Sequence, residues 1–426
     1  MNSTPKHDPY QALRIRSFLV LLAARSLARI GEQMVAVALG WQVYLKTHNP
    51  LSLGLVGLAE ALPLILCSLP AGHVTDHSDR KTVAVVTKLL LTLCSLALAV
   101  IAWFNFPVWI VYCVIILTGV SGAFSGPSAS LLIVEIVPEN ALANATTWRS
   151  NFGQLAGAAG PALGGVVIAL FHGATAQVYM LDVLISTVVI GLLMSLKIQR
   201  RAESRREPVS IKSVMEGIHF LRDTPVLLAA ITCDLFAVLL GGAVALLPIY
   251  ARDILHVGPT GLGWMRTMPS IGAAAMAIFI AHRPPFKHAG PTFLFSVAGF
   301  GLCTIIFGIS KDYILSLIML IFMGGLDSVS VVVRSTLMLL KAPDAMRGRV
   351  SSVNSIFISA SNELGAFESG VTASILGPVP SVVVGGLGTV AVVIICALKW
   401  PEFRTLGSMD PEKGVAEIAT EPAPLS

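Results

Sequence analysis

Apolar runs of about 20 residues recur along nearly the whole chain, and each is long enough to cross the roughly 30 Å hydrocarbon core of a bilayer as an α-helix. The runs are continuous and do not show the alternation of a membrane β-barrel. Hydrophobic residues make up 55% of the 426 residues and charged residues only 12%, which excludes an ordinary soluble globular domain. The pattern predicts an all-α membrane protein.

Polar breaks and Gly or Pro residues between the runs predict about twelve transmembrane helices. The predicted spans are 17–45, 51–71, 83–104, 108–134, 142–170, 176–196, 225–250, 260–281, 291–310, 313–340, 350–376 and 381–399. The residues before the first span are polar, and that span is too long for the apolar region of a signal peptide. We therefore expect the first helix to remain as an anchor.

Basic residues cluster in alternate connections between the predicted spans. They are Arg14, Arg16, Arg80, Lys81, Lys197, Arg200, Arg201, Arg205, Arg206, Arg283, Lys287, Lys341, Arg347 and Arg349. With an even number of spans these residues fall on one side, which the positive-inside rule predicts to be the cytoplasm. We expect a multi-pass protein of the bacterial inner membrane with both termini in the cytoplasm.

A polar connection separates six predicted spans from six, and glycine patterns repeat across it. Gly54 matches Gly263, and at nearly the same separation Gly160 and Gly165 match Gly365 and Gly370, which indicates two parallel six-helix repeats. A Pro- and Glu-containing end with little apolar content predicts disorder. The predicted organisation is an N-terminal segment 1–16, a bundle 17–196, a linker 197–224 with an amphipathic helix over 209–222, a bundle 225–400 and a disordered tail 401–426.

The stretch "GHVTDHSDRK" (72–81) resembles the G-x-x-x-D-R-x-G-R-K loop signature of the major facilitator superfamily. Asp79 before Arg80, together with "RGRV" (347–350) and "GLGWMRTMPSIGA" (261–273), is similar to the branch that contains enterobactin exporters and macrolide efflux proteins. The resemblance covers residues 15–400 and implies twelve transmembrane helices in two pseudo-symmetric six-helix bundles.

The same loop suggests a cytoplasmic gate. Gly72 is expected to permit close approach of the second and eleventh helices, Asp76 to face the start of the eleventh, and Arg80 to pair with Glu135 or Glu139. The alternative is a solvated turn that serves only membrane topology. The candidate gate residues are Gly72, Asp76, Asp79, Arg80, Lys81, Glu135, Arg347 and Arg349.

"GAAGPALGG" (157–165) in the fifth helix resembles a signature of exporters that run as antiporters. Small residues on one face permit tight helix contact, and a proline bends the helix near it. Ordinary small-residue packing is the alternative. The residues concerned are Gly157, Gly160, Pro161, Gly164 and Gly165.

Ionisable side chains within a span are costly unless paired or hydrated, so they are candidates for proton coupling or a substrate cavity. Their spacing places Arg25, Arg29 and Glu32 on one face of the first helix, where Glu32 is either an exchangeable carboxyl or a permanent partner of Arg29. The candidates are Arg25, Arg29, Glu32, Glu60, Asp234, Asp327, Arg334 and Glu363. Asp182 and Glu368 are predicted to be interfacial.

Motifs of several other classes are absent from the sequence. No P-loop, HExxH or GxSxG occurs, so neither ATP-driven transport nor an enzyme with catalytic residues is indicated. The six cysteines lie within predicted spans without a CxxC, so no metal site or cofactor is expected. The basic residues lie in short loops, which suits an anionic bilayer surface and argues against nucleic-acid binding.

These observations predict a secondary active exporter that moves an amphipathic small molecule outward in exchange for protons by alternating access. The resemblance implies the outward direction, a siderophore, macrolide or similar drug-like substrate, and a monomer. The alternatives are a nutrient importer, either a proton symporter or a uniporter, and a non-transporting membrane receptor or assembly factor.

Overall fold

Helices account for all the regular secondary structure in the part of the chain that the structure describes. The computed structural model describes residues 8–196, 211–284 and 286–407. The α-helices are α1 (Arg16–Thr47), α2 (Pro50–His77), α3 (Arg80–Trp103), α4 (Val108–Ile136), α5 (Leu142–Leu170), α6 (Ala176–Ser195), α7 (Ile211–Asp223), α8 (Pro225–Leu240), α9 (Leu247–Ile249), α10 (Gly258–Ala281), α11 (Ala289–Ile309), α12 (Tyr313–Lys341), α13 (Asp344–Leu376), α14 (Pro378–Lys399) and α15 (Pro401–Arg404).

The helix bounds follow the apolar runs closely, because a helix satisfies its own backbone hydrogen bonds where lipid offers none. Ten helical segments of the described chain are long and apolar enough to cross a membrane. The long helices α1 and α13 are not among these ten, and α1 carries Arg25, Arg29 and Glu32. The all-α membrane fold predicted from the sequence is confirmed.

The predicted seventh span, 225–250, is not one continuous helix. α8 ends at Leu240, and after two glycines the chain continues as a 3-10 turn, the short α9 and a π-helical turn, Tyr250–Ile254. A Cβ at Gly242 would lie 2.7 Å from the carbonyl oxygen of Gly365, so only a glycine fits against α13 there. Irregular backbone at membrane depth is tolerated where other protein segments cover it.

The polar stretch 72–81 is mostly helical, whereas the sequence suggested a turn. α2 continues to His77, and only Ser78 and Asp79 separate it from α3. The carboxylate of Asp79 caps α3 by accepting a hydrogen bond from the Thr82 backbone N–H at 3.0 Å. This N-cap explains why the chain breaks at that residue.

The described residues divide into two compact units. The N-terminal unit contains residues 8–47, 59–196 and 258–267, and the C-terminal unit contains 48–58, 211–257, 268–284 and 286–407. The N-terminal unit therefore includes the first turns of α10, and the rest of α10 belongs to the C-terminal unit. The C-terminal unit includes the first turns of α2, and the rest of α2 belongs to the N-terminal unit. The sequence analysis assigned consecutive segments to the two bundles, so it did not predict that α2 and α10 are divided between the units.

The glycines that repeat along the sequence make equivalent contacts in their respective units. A Cβ at Gly165 would lie 2.9 Å from the Cα of Gly263, and a Cβ at Gly370 would lie 2.6 Å from the Cα of Gly54. Both contacts join matching glycines of the two repeats. The same backbone approach, made once in each unit, supports the internal repeat predicted from the sequence.

The linker helix packs on protein instead of lying free on a surface. α7 begins at Ile211, close to the predicted 209–222, and its Leu221 is buried. The guanidinium of Arg349 on α13 lies 2.8 Å from Glu216, and the backbone carbonyl of Arg349 lies against Gly217. The rest of the predicted linker, 197–210, lies outside the described residues.

The first part of the predicted disordered tail, 401–407, is ordered. Phe403 of α15 is fully buried and makes an edge contact with Phe293, with ring centroids 5.3 Å apart. The carbonyl oxygen of Gly407 accepts a hydrogen bond from the Ala289 backbone N–H at 3.1 Å. One aromatic side chain buried in the C-terminal unit therefore orders the segment 401–407, and residues 408–426 lie outside the described part of the chain.

Candidate functional site

The N-terminal unit brings charged side chains from four helices together. Glu60 of α2 interacts electrostatically with Glu32 of α1 and Arg266 of α10. Arg25 interacts in the same way with Arg149 of α5, Glu32 and Arg29. We refer to these residues as the carboxylate–arginine cluster: Arg25, Arg29, Glu32, Glu60, Arg149 and Arg266.

Arg149 and Arg266 were not among the residues predicted from the sequence. A signal was available for Arg266, because it is a charge inside the apolar run of α10. Arg149 lies in the first turns of α5 and carried no such signal, since basic residues are common near helix ends. Sequence reasoning therefore found the carboxylates of the cluster but missed half of its cations.

The pair between Arg29 and Glu32 is loose. The Nη1 and Oε2 atoms lie 3.8 Å apart, and the two side chains are 52% and 44% exposed. Such a pair adds little to the stability of a helix. The geometry therefore shows no tight bond between Arg29 and Glu32.

Arg25 carries a buried donor that the protein leaves unused. Its Nη1 atom has no hydrogen-bond partner among the described residues. An unsatisfied buried donor costs about 1–3 kcal/mol, and more when the group is charged. Because the atom is shielded from solvent, a partner reaches it only when neighbouring side chains move.

Small residues hold the helices of the cluster close together. A Cβ at Gly160 would lie 2.7 Å from the carbonyl oxygen of Ile30, and a Cβ at Gly164 would lie 3.0 Å from the Cα of Met34, both on α1. The hydroxyl of Thr267 on α10 donates a hydrogen bond to the carbonyl oxygen of Ala158 on α5 at 2.9 Å. α5 therefore packs tightly against both α1 and α10.

The glycines of the fifth-helix motif are not equivalent. Gly160, Pro161, Gly164 and Gly165 are buried, whereas a Cβ at Gly157 would meet no described atom within 4 Å. The prediction that Gly157 joins the tight helix contact is therefore wrong, because no described atom comes within 4 Å of that position. The close helix contacts of the motif begin at Gly160.

This difference supplies a matched pair of variants. We expect Gly160→Leu to reduce the thermal stability of the protein in detergent by several degrees, because the new side chain must displace the backbone of α1 at a cost of roughly 1–3 kcal/mol. Gly157→Leu is expected to melt close to the original protein. Equal melting temperatures for the two variants would contradict the packing described.

The C-terminal unit contains a buried ion pair between two helices. Arg334 of α12 contacts the carboxylate of Asp234 on α8, and the two residues are 3% and 5% exposed. Ser330 donates a hydrogen bond to the same carboxylate at 3.1 Å. Asp327 lines a small crevice beside Asp234 and Ser330. The sequence predicted these charges as candidates but did not identify which of them pair.

Glu363 of α13 lies against the start of α2 inside the C-terminal unit. Its Oε2 atom would be 3.4 Å from a Cβ placed at Gly57. Its side chain is half-buried. Glu363 therefore belongs to the C-terminal unit, whereas the carboxylate–arginine cluster belongs to the N-terminal unit.

Asp182 is buried among the helices of the N-terminal unit, and its predicted depth at the membrane interface stays a prediction. It is 4% exposed and accepts hydrogen bonds from Ser95 of α3 at 2.6 Å and from Ser186 at 3.4 Å. Gly31 of α1 leaves the space that its carboxylate occupies. Glu368 is half-buried and accepts a hydrogen bond from Thr372 of its own helix at 2.7 Å.

The candidate gate residues of the N-terminal unit bind partners within that unit. Arg80 lies 2.7 Å from Glu135, and the ammonium of Lys81 donates to the carbonyl oxygens of Met194 and Leu196, both at 2.7 Å. A Cβ at Gly72 would meet no described atom within 4 Å. The side chains of Asp76 and Glu139 lie outside the described part of the structure.

The gate residues of the C-terminal unit are also bonded within their unit. The guanidinium of Arg347 donates to the carbonyl oxygens of Leu339 at 2.9 Å and Ala342 at 3.2 Å, which caps the end of α12. Arg349 is the partner of Glu216 on the linker helix. These contacts tie helix ends together within each unit.

A metal site among the residues that the structure describes would need several ligand side chains close together. No group of three His, Cys, Asp or Glu side chains among them is placed to hold a metal ion. The six cysteines are free thiols.

Apolar helices in two units with matching glycine contacts, together with charged side chains inside the bundles, define a polytopic transporter of the major facilitator type. The family model for transmembrane secretion effectors matches residues 7–418. The chain belongs to this family. It is a membrane-integral transporter and not an enzyme.

Curated relatives match over most of their length. The chain is 27% identical to the multidrug efflux pump Tap of Mycolicibacterium fortuitum, with 84% of this chain and 90% of the relative covered. It is 24% identical to the enterobactin exporter EntS of Citrobacter koseri, with 91% and 92% covered. Macrolide efflux protein A of Streptococcus pyogenes is 22% identical, with 62% and 66% covered.

Solved transporter structures share the fold. The nucleoside transporter NupG superposes with a TM-score of 0.71 at 11% identity, covering 90% of this chain and 99% of that one. A D-xylose-proton symporter gives a TM-score of 0.68 at 12% identity, covering 92% and 98%. Because a proton symporter is among these neighbours, the fold alone does not define the direction of transport.

Proposed function

We propose that the protein is a secondary active exporter that moves an amphipathic small molecule out of the cell in exchange for protons. The two units would alternate access between the two sides of the membrane, as expected for paired helical repeats. The observation that carries the proposal is the full-length similarity to an efflux pump and a siderophore exporter. We place the protein in a bacterial inner membrane with both termini in the cytoplasm, acting as a monomer.

The carboxylate–arginine cluster is the proposed site of proton coupling. Glu32 and Glu60 interact electrostatically, and carboxyl side chains within membrane helices commonly act in proton relays of transporters. The nearby arginines favour the ionised form. A substrate group that binds Arg25 or Arg29 would weaken that influence and favour protonation, which links substrate binding to proton uptake.

The substrate class follows from the named relatives and the composition of the helices. Those relatives are named for export of several drugs, enterobactin and macrolides. We propose a drug-like or siderophore-like molecule with an apolar body and a polar group. The cationic side chains of the cluster favour a substrate with a carboxylate, phenolate or other acceptor group.

The test is an efflux assay in cells loaded with a fluorescent amphipathic dye. Cells that express the protein are expected to lose the dye faster than cells that carry an empty vector, and a protonophore is expected to abolish the difference. Accumulation of the dye above the empty-vector level would favour an importer. An unchanged dye content across a panel of amphipathic dyes, with the protein present in the membrane, would favour the non-transporting alternative.

A further inference from the structure

Two histidines with an unusual backbone conformation stand where the chain passes between the two units. Thr47 is the last residue of the first N-terminal segment and His48 begins the C-terminal unit, and the chain passes back after Val257. His48 has a φ of 51°, and His256, beside the second crossing, has a φ of 52°. This left-handed conformation is uncommon for residues other than glycine, and it persists where surrounding contacts fix the backbone.

Both histidine rings contact one residue, Arg252 of the π-helical turn. The Nη1 atom of Arg252 lies 2.7 Å from Nε2 of His48, and Nδ1 of His256 lies 2.9 Å from the carbonyl oxygen of Arg252. All three residues belong to the C-terminal unit, and we refer to His48, Arg252 and His256 as the clasp. The clasp therefore bonds both crossing points of the chain to one short turn.

The chemistry of the two bonds assigns different roles to the two rings. A guanidinium only donates, so Nε2 of His48 accepts and its ring is neutral. A carbonyl oxygen only accepts, so Nδ1 of His256 carries a proton and donates. Protonation of His48 fills the accepting nitrogen and places a second positive charge beside the guanidinium, whereas protonation of His256 leaves its donor in place. Acid therefore breaks one half of the clasp and spares the other.

Other charged side chains lie on the elements around the clasp, and each has a partner. Asp253 Oδ1 lies 3.7 Å from Nε of Arg252. The ammonium of Lys46, near the end of α1, donates to a backbone carbonyl oxygen of the α3–α4 connection at 2.6 Å. On α13, which packs against the start of α2, Glu368 accepts a hydrogen bond from Thr372. The carboxylate beside the guanidinium thus contacts Nε, whereas the histidine contacts Nη1.

We propose that the clasp is a pH-sensitive restraint on the chain where it enters the C-terminal unit, and that acidification releases His48 from Arg252 while His256 holds. The neutral ring keeps the start of α2 bonded to the π-helical turn, and the protonated ring frees it. Histidine ordinarily changes charge at about pH 6.5, so the release falls between about pH 7.5 and 5.5. The clasp faces the outside of the cell in the proposed orientation, and only that assignment rests on the proposed function.

The test is hydrogen–deuterium exchange of the purified full-length protein in detergent, read by mass spectrometry of peptides that contain residues 48–52. Variants are compared at the same pH, so the intrinsic pH dependence of exchange cancels. His48→Gln is the non-titrating mimic, because its amide oxygen accepts from Arg252 at either pH. At pH 5.5 the original protein is expected to exchange at least about threefold faster than His48→Gln, and at pH 7.5 the two are expected to agree within about twofold.

Two further variants separate the halves of the clasp. His256→Asn is the matched control, because its amide nitrogen replaces Nδ1 as donor, and we expect it to keep the pH response of the original protein. Arg252→Met removes the guanidinium, so the segment is expected to exchange at pH 7.5 at least about threefold faster than in the original protein. An equal pH response in the original protein and His48→Gln, or loss of the response in His256→Asn, would overturn the proposal. Should Arg252→Met lower the melting temperature, the comparison of the two histidine variants still decides.

Discussion

Replacing Arg334 by methionine is expected to lower the free energy of unfolding by about 3–5 kcal/mol, because it leaves the buried Asp234 as a charge without its counter-ion. Methionine has a similar shape and flexibility, so the lost charge dominates over the lost volume. The measurement is reversible unfolding of the purified protein in mixed detergent micelles. The expected loss is large because both partners are almost completely buried.

A second substitution tests whether the lost stability comes from the unpaired charge or from the lost packing of the side chain. The double variant Asp234→Asn with Arg334→Met leaves no buried charge without a counter-ion. The oxygen of the new amide can still accept the hydrogen bond from Ser330. We therefore expect the double variant to recover most of the stability that Arg334→Met loses. Arg347→Met is the matched control, since Arg347 is exposed and its guanidinium bonds to carbonyl oxygens. Wild-type stability in Arg334→Met, or no recovery in the double variant, would refute this account.

Replacing Glu32 by glutamine is expected to abolish uphill efflux while exchange of substrate down its gradient continues. Glutamine keeps the size and polarity of the side chain but does not titrate. A proton gradient can therefore no longer drive the substrate against its concentration gradient. The concentration ratio across the membrane should relax to unity. The measurement uses proteoliposomes with an imposed pH gradient and a dye that the cell assay has identified as a substrate.

The matched control is Glu368→Gln. Like Glu32, Glu368 is a carboxyl within a long helix; it is half-buried, and Thr372 of its own helix donates a hydrogen bond to it. We expect this variant to retain uphill efflux. Glu60→Gln tests the second carboxylate of the cluster in the same assay. Uphill efflux that persists in both Glu32→Gln and Glu60→Gln would remove the cluster from the coupling role.

The sequence predicted the helices well and the partners of the charged residues poorly. The bounds of α5 agree with the predicted 142–170, because hydropathy and length report directly on the bilayer. The break after Leu240 was missed, since the Gly241–Gly242 pair lies in an apolar run and interrupts the helix only through its contacts with other helices. The chain around Phe403 was assigned to the tail because one buried aromatic is a weak signal within a polar segment.

By itself, the sequence determined that the chain forms membrane helices, that glycine patterns repeat between its halves, and that several charges interrupt the apolar runs. Those properties depend on residue type and spacing along the chain, which the absence of water in lipid translates directly into helices. Only the tertiary structure decided that Arg334 pairs with Asp234, that Arg266 lies near Glu60 and that Ser95 satisfies Asp182. These partners lie on different helices, and their meeting depends on how each helix is rotated and packed, which hydropathy does not specify.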